Sequence, residues 1–437
     1  MRLRTVINKY RIDIVVIILF LVFPFIFFRD TFSLDSFVLG QGDSIRYFIP
    51  LNQLKIGLLS NLERPLWNNY IFSGFPLLSS PQAAVFYPFN LILFMFGSSV
   101  VGYNLFVLLH FSLGGIFIYF LLKEYNLDKN ACLLGGIVFV FSEAMISHKS
   151  HSTILSTIIW VPLILLLLEK YRNKRSLLSL FAAAILSAIS FFAGFPQVFF
   201  YSSIVILLYI LYFTFFANKK INWHFLLSIL IFPICFLLIL PQLIPTFELM
   251  LNSFSRSYTS FDYFNINSYN PRISLSLFFP FIFGTKNPID SGIPHYLRWF
   301  GEGDPPEVLI YFGIITIPFL IFSFFKVDRR KYFWIFILLI FFIFSLGKYT
   351  FISEWLYNIP IYNRFRSPSR NFFIVNLAFA VLTGFGFNYY IKSKLSRIRK
   401  VAAVPIFILC SILIVFFLIY GNIKTSNTSL IISFFRK

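Results

Sequence analysis

Long apolar runs separated by short polar segments make up most of this 437-residue chain. Eleven of the runs contain enough residues to cross the roughly 30 Å hydrocarbon core of a bilayer as α-helices. We expect membrane spans near residues 12–29, 101–122, 131–147, 153–169, 177–194, 197–217, 225–247, 306–325, 332–347, 371–391 and 401–420. The further run at 84–98 is short and contains Pro88 and Asn90, which is typical of an interfacial or re-entrant segment.

The composition indicates the same class of protein, because 58% of the residues are hydrophobic and only 12% are charged. Soluble domains carry about 25% charged residues. We therefore predict an all-α polytopic membrane protein with about eleven transmembrane helices. Cys132, Cys235 and Cys410 lie inside separate apolar runs, so we expect small core residues rather than a disulfide or a zinc site.

Lysine and arginine fall mainly on one side of the predicted membrane when the N-terminus is placed in the cytoplasm. Because cytoplasmic loops carry an excess of basic residues, the net charge of +20 reflects topology rather than a nucleic-acid footprint. We predict a multi-pass plasma-membrane protein with one transmembrane domain, residues 1–421, and a short outer tail, residues 422–437. The longer outer loops are expected at about 30–100, 248–305 and 348–370.

Most polar side chains that could perform chemistry fall in the predicted outer loops or at the outer ends of the spans. The chain contains no P-loop, Rossmann glycine pattern or zinc-protease motif. An enzyme at the outer face would need a substrate that has already been exported, and lipid-phosphate-linked donors are the obvious class. In the first outer loop, apolar residues between 48 and 62 recur at helical spacing. They predict an interfacial helix that covers the bundle or shapes an entrance for a polyprenyl tail.

Seven short motifs follow one another between residues 36 and 392. They are Gly42-Asp43-x-x-x-Tyr47-x-x-Pro50, Pro65-Leu66-Trp67-Asn68 to Gly74-Phe75-Pro76, Pro81-Gln82-Ala83-Ala84-Val85-Phe86-Tyr87-Pro88, His151 to Trp160-Val161-Pro162, Ala193-Gly194-Phe195-Pro196-Gln197, Glu307-Val308-Leu309-Ile310-Tyr311-Phe312-Gly313, and Phe365-Arg366-Ser367-Pro368-Ser369-Arg370. The ordered set resembles the YfhO-like bacterial membrane proteins, which are related to the GT-C superfamily of polyprenyl-phosphate-sugar-dependent glycosyltransferases. The resemblance implies a GT-C-like fold with a long first extracytoplasmic loop. Members of that family are often much longer than this chain.

The resemblance implies that Asp43 is a catalytic base, because GT-C enzymes place an acidic residue in the first outer loop. A carboxylate at the membrane boundary can accept a proton from an acceptor hydroxyl as that hydroxyl attacks the anomeric carbon. Lipid phosphate is already a good leaving group, and a single displacement would invert the anomeric centre. The alternative is that Asp43 only caps a helix or solubilises the loop.

A lipid-phosphate substrate also requires a cationic partner, and guanidinium groups bind phosphate oxygens bidentately. Arg366 and Arg370 are the first candidates for this role, followed by Arg364 and Arg298, although arginines at span ends also bind ordinary lipid headgroups. Further substrate-binding candidates are His148, His151, Gln197, Glu307, Trp67 and Tyr47.

Three of these groups have other interpretations. His148 and His151, with Glu143 nearby, allow a divalent cation without requiring one, so we assign no metal and favour hydrogen bonding to substrate. Glu307 belongs to an acidic cluster with Glu302 and Asp304, which would bind an acceptor sugar or a cation, or cap the next helix.

The sequence therefore predicts a glycosyltransferase that moves a sugar from a polyprenyl-phosphate donor to an extracytoplasmic polymer, glycolipid or protein. A transporter or flippase of lipid-linked saccharides is the alternative, but it would place charges along the centres of the spans, where this sequence has almost none. A non-catalytic partner in envelope assembly is the third interpretation, and it predicts that Asp43 is replaceable.

Overall fold

The computed structural model describes residues 2–29, 42–97, 99–217, 220–253, 259–284, 299–325 and 328–393. This part of the chain is mainly α-helical. The α-helices are Arg2–Phe27, Ile49–Ser60, Asn90–Met95, Val100–Glu124, Lys129–Val140, Glu143–Ser147, Ser152–Ile158, Trp160–Lys174, Leu177–Phe192, Pro196–Leu211, Trp223–Leu226, Ile231–Asn252, Phe261–Phe264, Pro305–Val308, Thr316–Ser323, Arg329–Ser345, Ile352–Tyr357 and Phe372–Lys392.

Shorter elements connect these helices. Turns of 3-10 helix cover Pro81–Ala83, His148–Ser150, Leu227–Leu230, Pro271–Leu277, Gly347–Tyr349, Tyr362–Arg364 and Pro368–Asn371, and π-helical turns cover Ser44–Phe48 and Tyr212–Phe216. Two short antiparallel strands, Trp67–Asn68 and Phe75–Pro76, pair with Trp67 opposite Pro76.

Five continuous helical segments are long and apolar enough to cross a membrane, and they define a helical membrane protein. They are Val100–Glu124, Ser152–Lys174, Pro196–Phe216, Trp223–Asn252 and Pro368–Lys392. A sixth would be the pair Lys129–Val140 and Glu143–Ser150, which is bent by 41°. Each of the six coincides with a predicted span. The predicted count of eleven is not established by the described residues, and the run at 401–420 lies outside them.

Residues 306–325 do not form the single span that their hydropathy predicts. The structure has two short helices here, Pro305–Val308 and Thr316–Ser323, joined by a non-helical segment. Gly313 in that segment has a φ of +87°, which lies outside the right-handed helical region. Hydropathy alone cannot detect this interruption, because the connecting residues are themselves apolar.

The glycine pairs Gly114–Gly115 and Gly135–Gly136 let four helices pack closely, namely Arg2–Phe27, Val100–Glu124, Lys129–Val140 and Phe372–Lys392. A Cβ on Gly136 would lie 2.8 Å from the carbonyl oxygen of Gly115 and would also meet the ring of Phe20. A Cβ on Gly135 would lie 3.2 Å from the carbonyl oxygen of Ala380. Side chains larger than hydrogen at these positions would therefore push the helices apart.

One end of the bundle is held by buried ion pairs. The Glu169 carboxylate is fully buried and accepts hydrogen bonds from Arg172 and from the Tyr209 hydroxyl, while Arg330 lies 3.5 Å from it. Asp13 in the first helix accepts a 2.6 Å hydrogen bond from Lys123, in the last turn of Val100–Glu124. This bond ties the two helices together. These charge pairs lie at the ends of the predicted spans, not at their centres, and they hold the helices together there.

The segment 42–97 is folded rather than an irregular loop. Its main helix, Ile49–Ser60, confirms the helix predicted from the apolar spacing. Lys55 on this helix is buried, and its Nζ donates 2.9 Å hydrogen bonds to the Ala83 carbonyl and the Asn90 side-chain oxygen. Further along, the Tyr87 hydroxyl lies 2.7 Å from Nε2 of His110 and accepts a hydrogen bond from Trp160. The segment is therefore anchored to the helical bundle through buried polar contacts.

Candidate functional site

Asp43 directly precedes the π-helical turn Ser44–Phe48, and that turn is anchored on both sides. The Ser44 hydroxyl lies 3.1 Å from the Tyr103 hydroxyl and donates to the Ser150 carbonyl at 3.3 Å. The Phe48 ring packs edge-on against the ring of His151, with centroids 6.1 Å apart. These contacts hold the start of the first folded segment beside the turn that leads into Ser152–Lys174.

Asp43 and His151 form a direct pair, although 107 residues separate them in the sequence. Nε2 of His151 lies 2.7 Å from Oδ2 of Asp43. The Asp43 side chain is 54% exposed and that of His151 is 26% exposed, while Nδ1 of His151 is buried. The carboxylate is therefore the member of the pair that a substrate can reach, and the imidazole orients it.

His148 lies next to this pair on the same turn and points towards Glu307. The two imidazole centroids are 5.9 Å apart, and Nε2 of His148 lies 3.6 Å from Oε2 of Glu307. That distance is too long for a hydrogen bond but allows an electrostatic contact when the ring is protonated. The Ser147 hydroxyl also donates to the Pro306 carbonyl at 3.1 Å, which fixes the turn against Pro305–Val308.

Glu307 and Arg370 form a buried two-point ion pair. Nη2 of Arg370 donates to Oε1 of Glu307 at 2.5 Å and Nε donates to Oε2 at 3.0 Å, and both side chains are about 10% exposed. Burial alone would raise the pKa of Glu307, but the adjacent charge of Arg370 outweighs it and holds the pKa below its ordinary value. Glu307 is thus kept as a carboxylate.

Gln197 extends the same network onto a third helix. Its side-chain oxygen accepts a 3.0 Å hydrogen bond from Nη1 of Arg370, and its nitrogen donates to the Arg366 carbonyl at 2.6 Å and the Tyr201 hydroxyl at 3.0 Å. Neighbouring side chains therefore lead from Asp43 through the two histidines to Glu307, and hydrogen bonds continue from Glu307 to the 366–370 segment. We call the end of the bundle that contains Asp43, His151, Glu307, Arg370 and Gln197 the Asp43 end.

The arginine candidates differ in what they can offer a phosphate. Arg370 is occupied by Glu307 and Gln197 and packs its guanidinium 5.2 Å above the Phe195 ring. Arg366 is exposed, and its guanidinium lies 5.5 Å from the Tyr263 ring centroid. Arg364 is also exposed, and Arg298 lies outside the described residues. Arg366 is therefore the guanidinium of this network that is best placed to meet a ligand.

The two aromatic candidates lie in the segment that begins at Asp43. Tyr47 follows Asp43 by four residues and lines a surface groove beside Ile49–Ser60. Trp67 is half exposed in the first short strand, and its indole packs over Gly74, where a Cβ would approach it to 2.7 Å. Tyr47 is therefore close to the Asp43 turn, whereas Trp67 stabilises the strand pair.

The acidic cluster predicted around Glu307 separates in the structure. Glu302 forms an exposed ion pair with Lys348, with a distance of 2.7 Å between Nζ and Oε1. The hydrogen bond from Lys348 lowers the pKa of Glu302 to about 2. Asp304 precedes the short helix Pro305–Val308, and Glu307 on that helix pairs with Arg370. Within the described residues, no group of three or more His, Cys, Asp or Glu side chains is arranged to hold a metal ion.

Sequence reasoning missed four residues that complete the site. Ser44 and Tyr103 anchor the Asp43 turn, Tyr201 supports Gln197, and Tyr263 packs against Arg366. Tyr201 had a detectable signal, because it follows Gln197 by four residues on one helix face. The other two pairings, Ser44 with Tyr103 and Tyr263 with Arg366, are long-range contacts that no local pattern distinguishes.

Compared with family models, with curated proteins and with solved structures, the chain has no match.

Proposed function

We propose that this membrane protein is a glycosyltransferase that moves a sugar from a polyprenyl-phosphate donor to an extracytoplasmic acceptor. The proposal places the N-terminus in the cytoplasm and the Asp43 end at the outer face of a bundle of about eleven spans. The observation that carries it is the exposed carboxylate of Asp43, held at 2.7 Å by His151 at one end of the bundle. The resemblance of the Asp43 motif to GT-C-related proteins supports the same role.

In the proposed reaction, Asp43 accepts the proton of an acceptor hydroxyl as its oxygen bonds to the anomeric carbon. The bond from that carbon to the phosphate oxygen breaks, and polyprenyl phosphate leaves as an anion. His151 keeps the carboxylate oriented, and the sugar inverts its anomeric configuration. The acceptor would be a cell-envelope polymer, a glycolipid or a protein.

The phosphate of the donor would bind at the exposed guanidinium of Arg366, with Arg364 beside it in the chain. Arg370 has a different role in this account, because Glu307 and Gln197 already occupy its donors. Through Gln197 it positions the backbone of Arg366. Polar contacts concentrated at the helix ends fit surface chemistry better than a translocation path along the spans.

The test is transfer by the purified protein in lipid nanodiscs, supplied with a panel of short-chain polyprenyl-phosphate sugars and an envelope fraction. We expect labelled sugar to enter the acceptor fraction with the wild type and at least 100-fold more slowly with Asp43→Asn. Asp262→Asn, which changes an exposed carboxylate in another segment, should retain wild-type transfer.

Two results would contradict the proposal. Equal rates of sugar transfer by Asp43→Asn and wild type would show that Asp43 is not the catalytic base. Movement of intact donor lipid between leaflets, with no sugar transfer and no effect of Asp43→Asn, would establish the transporter alternative.

A further inference from the structure

A groove of about 620 Å³ begins one helical turn after Asp43. One wall is the face of Ile49–Ser60 that carries Gln53 and Gly57, continued by Asn61 just after the helix, and the other is the segment that carries Glu63 and Tyr70. From Arg46 to Asn61 the helical wall spans 15 residues, or about 22 Å at 1.5 Å per residue. This length matches roughly four linked sugar rings.

The side chains of the groove are those that recognise uncharged sugars. Gln53 and Asn61 supply exposed planar amides, and Asn and Gln side chains both donate and accept hydrogen bonds, as sugar hydroxyls do. The Tyr70 ring is 83% exposed at the groove and offers a flat apolar face for a sugar ring. Arg46 and Glu63 carry opposite charges, so the lining has no net charge that would favour a polyanion.

The groove combines an apolar floor with hydrogen-bonding groups along its rim. Leu51, Leu54 and Leu58 line its floor but are buried or half-buried by the neighbouring loop. An alkyl or prenyl chain would cover the amides and the Arg46 guanidinium without giving them hydrogen-bond partners, which disfavours its binding. The chemistry of the lining therefore favours a saccharide over a lipid tail.

We infer that this groove binds the acceptor as a neutral oligosaccharide of about four units, with its reactive end at Arg46 and Tyr47, next to Asp43. The inference deepens the proposed function and rests on it for the identity of the ligand as acceptor. Binding by the groove itself does not require that transfer occurs. The two claims can therefore fail separately.

The test uses Gly57, which lies on the exposed wall of the groove. A Cβ at Gly57 meets no atom within 4 Å, so Gly57→Phe adds a ring to the groove without displacing the core. Ser60→Phe adds the same ring one turn later on the helix, at an exposed position outside the groove, and is the matched control.

Binding would be measured by saturation-transfer NMR on the full chain in nanodiscs. The probes are neutral glucose, mannose, galactose and N-acetylglucosamine oligomers of two to six units. We expect at least one series to bind with an affinity that rises up to about four units. Gly57→Phe and Tyr70→Ala should weaken this binding at least tenfold, while Ser60→Phe should bind as the wild type does.

Failure to bind any series, or equal binding by Gly57→Phe and wild type, would overturn the inference even if donor turnover depends on Asp43. A prenyl alcohol is the competing probe. If Gly57→Phe loses binding of the prenyl alcohol while its saccharide binding is unchanged, the inference is also overturned and the groove is assigned to the lipid tail. If the wild type binds a saccharide, Gly57→Phe abolishes that binding and the protein transfers no sugar, then the groove is a saccharide site but the proposed transferase activity is rejected.

Discussion

The ion pair of Glu307 and Arg370 is the residue-level feature that connects four separate segments at the Asp43 end. Glu307 approaches His148, and Arg370 reaches Gln197 and through it the Arg366 backbone. Because both partners are buried, neither can lose the other without leaving a charge away from water. The pair is therefore a structural requirement for the exposed groups around it.

Glu307→Gln should destabilise the protein by about 3–5 kcal/mol, because it leaves Arg370 buried without a counter-charge. Glu302→Gln, in the same segment, removes an exposed pair with Lys348 and should cost about 1 kcal/mol or less. Thermal unfolding of both variants in one detergent checks this prediction. Equal melting temperatures for the two variants would show that the buried pair contributes no more than the exposed one.

The pH dependence of the same pair follows from the lowered pKa of Glu307. A carboxyl whose folded-state pKa lies below its unfolded value contributes stability above the unfolded value, near 4.3, and loses it as pH falls towards the folded value. The difference in stability between wild type and Glu307→Gln should therefore be constant above about pH 5 and shrink in stronger acid. A difference that grows on acidification would contradict the assignment.

Arg366→Gln should raise the KM for a polyprenyl-phosphate donor by about 10-fold or more, since a charged hydrogen bond contributes roughly 1.5–3 kcal/mol. The kcat and the melting temperature should change little, because the side chain is exposed and only its backbone joins the network. Arg366→Lys should not restore the wild-type KM, as an ammonium cannot bind phosphate with the two-point geometry of guanidinium. Steady-state kinetics measure both values, and Arg272→Gln, at another exposed arginine, is the control. An unchanged KM in Arg366→Gln would remove the donor-binding role.

At the scale of the elements, Lys55 makes the attachment of helix Ile49–Ser60 dependent on pH. Burial lowers the pKa of Lys55 to about 7, whereas the unfolded chain keeps its proton to about pH 10.4. Unfolding therefore takes up a proton between these values, and stability should rise with pH by up to about 1.4 kcal/mol per unit. The contribution of Lys55 is thus most unfavourable below pH 7.

Lys55→Met should abolish that rise, because methionine fills the site without a proton to release. Melting temperatures at pH 7, 8 and 9 in one detergent measure the slope for each protein. Lys348→Met, which changes an exposed lysine, should keep the wild-type slope over this range. A parallel pH dependence in wild type and Lys55→Met would show that Lys55 does not titrate there.

The contact between the helices Lys129–Val140 and Val100–Glu124 depends on Gly136. Gly136→Ala should destabilise the protein by about 1–3 kcal/mol, since its Cβ would meet the Gly115 backbone at 2.8 Å. Gly57→Ala, at an open helical position, should stabilise it by about 0.4–1 kcal/mol. Thermal unfolding separates these signs, and a stabilising Gly136→Ala would contradict the packing.

The helical elements were predictable where a run of apolar residues is also free of backbone interruptions. Val100–Glu124 and Pro196–Phe216 fit the predicted spans, and the apolar spacing in the first outer loop predicted Ile49–Ser60. The interruption within 306–325 was not predictable from hydropathy, because the residues that connect its two short helices are themselves apolar. Burial of Lys55 was equally hidden, since its partners Ala83 and Asn90 lie far along the chain.

The candidate site was predictable as a set of residue types but not as a set of pairs. Asp43, His151, Glu307 and Gln197 were all identified, yet nothing in the sequence shows that His151 faces Asp43 while His148 faces Glu307. That choice depends on the 3-10 turn His148–Ser150, which directs neighbouring histidines to different partners. Arg370 was expected to bind phosphate, but Glu307 occupies its guanidinium in the structure. Sequence spacing does not reveal that pairing.

At the scale of the whole molecule, the charged groups are separated to the two ends of the long helices. Along Ser152–Lys174, Glu169 follows His151 by 18 residues, or about 27 Å of helix, which approaches the thickness of the hydrocarbon core. The Glu169 end is closed by buried ion pairs, whereas the Asp43 end combines a buried network with exposed groups and a groove. The proposed function requires exposed groups and a groove, and these are found at the Asp43 end.

The central claim is that Asp43 performs chemistry on a glycan at the outer face. Its most direct measurement is the glycan profile of the outer cell surface in cells lacking the protein, complemented with wild type or Asp43→Asn at matched membrane abundance. If Asp43 is the base, one glycan modification disappears in the deletion, returns with the wild type and stays absent with Asp43→Asn. Full restoration by Asp43→Asn would contradict it and would leave Asp43 a structural residue.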